Sequence, residues 1–96
     1  MDNDSGWGAK EITLIAHEAH DHRERLTLPC RWVELVQAWD GQAGAYFLVS
    51  GVEVGQVSDK PWEVVSFKDV GGKAHRYHIG AVTPIGTGAL RLMRAG

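Results

Sequence analysis

Two successive glycines, Gly71 and Gly72, separate two segments whose side chains alternate in character. Before them, Trp62, Val64, Ser66 and Lys68 fall on one side, and Glu63, Val65, Phe67 and Asp69 on the other. After Lys73, residues 74–82 return with the same habit. A period of two marks a strand, because successive Cβ atoms point to opposite faces of a sheet. Glycine reaches positive φ at little steric cost, so a Gly-Gly pair closes a tight hairpin. Residues 62–69 and 74–82 are therefore expected to pair antiparallel across Val70-Gly71-Gly72-Lys73.

The same signal recurs along the chain. Ile12, Leu14 and Ala16 alternate with Thr13, Ile15 and His17, as in a strand partly covered on both faces. Leu26-Thr27-Leu28 alternates again before Pro29, so a hairpin is expected with the polar stretch between them at its turn. Ala45–Val49 is a short apolar run of strand type, and Val52, Val54 and Val57 are β-branched positions punctuated by Gly51 and Gly55. Ser58-Asp59-Lys60-Pro61 has turn composition. A loop over Thr83–Gly88 precedes a last short strand in which Leu90 and Leu92 alternate with Arg91 and Met93.

Residues 31–39 carry two signals. Trp32, Leu35, Val36 and Trp39 fall at i, i+3, i+4 and i+7, with Pro29 placed for a first turn and Gly41 just past the end. This spacing predicts a helix over 31–39. Trp and Val favour strands, and the alternative is a strand that hairpins through 40–44. The fold class is accordingly mainly β, or α+β if 31–39 are helical. It is a small single-domain antiparallel sheet or barrel with at most one short helix. Residues 1–9 read as a flexible N-terminal arm that Trp7 is able to pin, and 10–96 as one compact domain.

Ten basic residues against twelve acidic ones leave a formal charge of −2. Sequence-independent binding to nucleic acid needs a basic stripe that displaces counterions from phosphates. His22-Arg23-Glu24-Arg25 is interrupted by its glutamate, and Arg91 with Arg94 is too small a cluster, so nucleic acid is disfavoured. A single cysteine, Cys30, excludes an internal disulfide and any cysteine-rich zinc motif. Arg31 beside it would lower a thiol pKa, yet a nucleophile also needs a base and an oxyanion site, and a buried structural role is expected. The acidic start lacks a signal peptide's basic and apolar regions. No window approaches the roughly 20 apolar residues of a membrane-spanning helix, and a cytoplasmic location is the default. Gly86-Thr87-Gly88 lacks the third glycine and the helix of a dinucleotide fingerprint, and no cofactor is expected.

The histidine-rich stretch His17-Glu18-Ala19-His20-Asp21-His22 resembles a zinc motif in composition only. A His-Glu-x-x-His helix requires a second histidine where Asp21 stands. Locally the stretch offers at most two ligands facing one way, whereas zinc takes three or four. Of His75 and His78, a strand turns only one toward any given side. The metal or histidine-dependent enzyme alternative thus rests on His17, His20, His22 and His78, and a solvated turn is the plainer expectation.

The aromatic content is more informative. Trp7, Trp32, Trp39 and Trp62, with Tyr46 and Tyr77, exceed what one small core needs. Trp32 and Trp39 are expected in the core. Trp7 and Trp62 are expected at the surface and, with Tyr77 and Arg91, form the candidate protein interface, since Trp, Tyr and Arg are the usual anchors there. The expected function is a non-enzymatic protein-binding module: an inhibitor, adaptor or assembly subunit acting on a larger protein or complex. The size suits a phage or mobile-element accessory protein that blocks a host complex.

Overall fold

A computed structural model of the chain describes residues 6–17, 23–37, 45–58 and 60–95, save the side chains of residues 17 and 23. The strands are β1 (Gly6–His17), β2 (Arg23–Pro29), β3 (Trp32–Val36), β4 (Tyr46–Ser50), β5 (Trp62–Asp69), β6 (Ala74–Ile85) and β7 (Ala89–Arg94). Every pairing between them is antiparallel. Around the sheet β1 is followed by β3, β4, β7, β6 and β5, and β5 pairs back onto β1. Six strands thereby close into a barrel, with β2 as one further strand beside β1. Two three-stranded meanders, β1–β3–β4 and β5–β6–β7, are joined along both edges.

The Gly-Gly hairpin forms where alternation predicts it. Val64 pairs with His78 and Lys68 with Ala74, and Gly72 supplies the positive φ of the turn, at 94°. The Asp69 N–H donates to the Lys73 carbonyl at 2.9 Å. The first hairpin is equally regular, from Glu11 opposite Pro29 to His17 opposite Arg23. One unbroken register then carries β1 past β2 onto β3, where Gly8 faces Trp32 and Gly6 faces Glu34. Across the bend the ladder is kept by Cys30 N–H donating to Lys10 O at 2.9 Å and Ala9 N–H to Arg31 O at 3.1 Å. Behind the barrel strands lies the core of Ile12, Leu14, Leu28, Val33, Phe47, Val49, Val65, Leu90 and Leu92, all fully buried. Each such side chain contributes roughly 1.5–3 kcal/mol relative to an exposed one.

Four sequence expectations are corrected. Residues 83–85 are not loop but the end of β6, where Thr83, Pro84 and Ile85 pair with Arg91, Leu90 and Ala89. Residues 32–36 are a strand, not part of a helix, while Trp39 lies outside the described residues. Two neighbours explain this: β1 on one edge and β4 on the other hydrogen-bond the segment, which a helix would leave unpaired. Val33 and Leu35 point inward, so the true period was two. Residues 6–9 are not arm but the start of β1, because Trp7 faces Val33 and packs on the core; residues 1–5 lie outside the described residues. Val54–Gln56 form a 3-10 turn in the connection from β4 to β5, from which Val52, Val54 and Val57 pack against the core.

Candidate functional site

Trp62 was expected at the surface and is instead 4% exposed. It lies beside Ala16 across the β1–β5 ladder, on the face shared with Val65 and Leu14. Its indole N–H donates to the Ser58 carbonyl at 3.0 Å, which satisfies the one polar atom that burial would strand. Trp7 and Tyr77 are partly buried and packed on the core. Trp7 meets Phe67, His75 and Tyr77 with ring centroids 5.7, 4.7 and 6.3 Å away. Tyr77 lies 4.7 Å from Phe47. These three aromatics are core or core lining, and Arg91 alone of the four candidates stands on the outside.

Among the histidines, His20 and His22 lie outside the described residues, as does the side chain of His17. His78 is exposed, opposite Val64. Among the described residues no three His, Cys, Asp or Glu side chains gather as metal ligands would. His75 is different: it is 8% exposed, with Phe67 stacked against it at 4.7 Å and Trp7 at 4.7 Å. Its Nε2 is 2.9 Å from Asp69 Oδ2, and the Tyr77 hydroxyl lies 3.5 Å from Nδ1. Asp69 Oδ1 accepts from the N–H groups of Gly71 and Lys73, both at 2.9 Å. These donors hold the Asp69 carboxyl below its ordinary pKa, the bond to His75 being the largest cause. An Asp–His pair is also a catalytic element, but a base must reach a substrate proton. Here both nitrogens face protein groups and aromatic rings flank the imidazole, so the pair fastens the β5–β6 turn. The aspartate two residues before Gly71 was the visible signal, since Asp readily accepts from turn N–H groups.

Cys30 is partly buried, and its Sγ donates to the Ala9 carbonyl at 3.5 Å. Burial, followed by the nearby Glu11 charge, pushes the thiol up to about 11. Desolvation therefore opposes any activation by Arg31, and the half-buried Cys30 packs against the core.

The feature that sequence reading missed is the outer face of β3, β4 and β7. Val33, Phe47, Val49, Leu90 and Leu92 point inward, so their strand neighbours point out. Cross-strand register sets these in rows. One row reads Trp32, Ser50, Ala89, Ile85; the next reads Glu34, Leu48, Arg91, Thr83; the third reads Val36, Tyr46, Met93. Trp32 is 43% exposed and Ile85 42% exposed, whereas Trp32 was expected in the core. Its position follows from Gly6. A Cβ there would stand 2.8 Å from Trp32 Cε2, so the bare glycine lets the indole lie against β1. On β7, two strands away, the Arg91 guanidinium carbon sits 5.9 Å from the Tyr46 ring centroid, in cation–π range. Arg91 Nε is buried with no hydrogen-bond partner.

Elsewhere, an open groove of about 570 Å³ runs past Lys10, Thr13, Ser66, Lys68 and Asp69. Its lysines are exposed and the Asp69 carboxylate is already engaged by the turn and His75. Comparison with known protein families, curated proteins and solved structures finds no match. Among the described residues no helix is long and apolar enough to cross a membrane.

Proposed function

We propose that the chain is a small protein-binding module that works through the outer face of β3, β4 and β7. One observation carries this reading: a barrel wall that needs only one apolar side has apolar or aromatic groups on both. Among the described residues the outer side carries exposed Trp32 and Ile85 and half-buried Val36, Tyr46, Leu48 and Met93, with two charges, Glu34 and Arg91. A contiguous apolar patch on a small domain marks an interaction surface, whereas single exposed hydrophobes do not. Aromatic and arginine side chains within it are the usual hot spots. Inhibitors, adaptors and assembly subunits all operate by such surfaces, without bond chemistry.

Among the described residues β2 pairs only with β1, and its outer edge is a weaker surface. Arg25 and Pro29 punctuate it, and charge and proline are common devices against further strand pairing.

Capture from native lysate, run in parallel on the wild type, Trp32→Ser and Arg76→Ser, tests the reading. Arg76 is exposed on β6, paired with Ser66 of β5, across the barrel from β3 and β4. Proteins retained by wild type and Arg76→Ser should be lost with Trp32→Ser. Equal retention by all three would overturn it.

A further inference from the structure

The reading of this face as a binding surface is the basis for naming its occupant. Glu34, Leu48 and Arg91 are direct cross-strand partners in one row, with neighbouring Cα atoms about 5 Å apart. The acid and the base therefore flank a leucine at the centre of an apolar field. Among the described residues neither is spent on an ion pair, and the Arg91 Nε has no acceptor. A partner that suits this row needs a base opposite Glu34, an acid opposite Arg91 and an apolar group between. The row itself is such a partner when reversed.

We infer that the face docks a second copy of this chain, about a two-fold axis that passes over Leu48 and runs parallel to β4. Rotation about that axis leaves β4 opposite β4 and exchanges β3 with β7. Glu34 of each copy then faces Arg91 of the other, as an isologous contact requires. Val36 faces Met93. Trp32, the largest side chain of β3, faces Ala89, the smallest of β7. An axis set across the strands would put Glu34 against Glu34 and Arg91 against Arg91. Like charges juxtaposed in an interface are strongly unfavourable, so charge selects the first axis. Aligned packing of two twisted sheets is an ordinary arrangement for faces of this kind.

Sedimentation equilibrium of the full chain, from micromolar to millimolar concentration, measures the effect. The apparent mass should rise from 10.5 kDa toward twice that value. Glu34→Arg and Arg91→Glu should each weaken the dimer by roughly tenfold or more, because each sets like charges together. An equimolar mixture of the two variants should dimerise again, since each then offers the charge that the other lacks. Unchanged far-ultraviolet dichroism and melting will show that each variant is folded. Three results would overturn the proposal: a monomer throughout, a dimer indifferent to both reversals, or a mixture no tighter than its components. A monomeric wild type whose lysate partners still depend on Trp32 would remove the second copy and leave the binding surface standing.

Discussion

Asp69 engages three donors with one carboxylate, two turn N–H groups and the His75 imidazole. Its pKa is held below the ordinary value in the folded chain. The unfolded chain therefore takes up this proton first as pH falls. The contribution to stability is complete above the unfolded pKa of about 4 and fades as pH drops through the lower folded value. Asp69→Asn should lower the melting midpoint at pH 7 and flatten the acid limb below about pH 4, where the wild type loses stability most steeply. Parallel acid limbs for the two proteins would contradict this. Cys30 offers a second residue-scale test. With the folded thiol pushed from 9.0 up to about 11, alkylation at pH 7.5 should be roughly 100-fold slower than in urea. Labelling at the unfolded rate would place the thiol in water.

At the scale of the element, the two tryptophans that exchanged places show what a sequence carries. Trp62 and Trp32 sit in similar short stretches, and both alternate with apolar neighbours. Trp62 has Val64 two positions on, which allowed it to face either way; the β1–β5 pairing turned it inward. That pairing joins residues about 50 apart and has no local signal, whereas the Gly-Gly hairpin lies within one segment and was legible. Likewise, Trp32 satisfies helical and strand spacing together, and only its ladders with β1 and β4 decide between them. Trp62→Ala should cost about 3–5 kcal/mol, as expected for a large buried aromatic, measured by urea unfolding. A loss under 1 kcal/mol would mean that the indole is not core. Gly6→Ala is the complementary test on β1. The added methyl group must displace the Trp32 indole, so fluorescence from a variant retaining Trp32 alone should shift, with the strand ladder kept. An unchanged spectrum would contradict the contact.

For the whole molecule, closure of the barrel has a consequence for function. Joining two meanders along both edges leaves, among the described residues, the outer edge of β2 as the one unpaired strand edge, so the proposed recognition falls to a face. The candidate site was therefore only partly legible. Arg91 was visible as a candidate, but the face around it is assembled from β3, β4, β7 and the end of β6, which cross-strand register alone brings into rows. Alternation predicted which residues share one side of each strand. It gave no reason to expect both sides to be apolar in the same three strands.

The central claim is that recognition uses this face, and amide mapping tests it most directly. Isotopically labelled chain placed in concentrated native lysate should lose amide intensity at Trp32, Leu48, Arg91 and Met93. Lys68 and Arg76, on the β5–β6 wall, should keep theirs. Loss confined to the groove around Lys10, Ser66 and Lys68, with the β3–β4–β7 amides unchanged, would contradict the account.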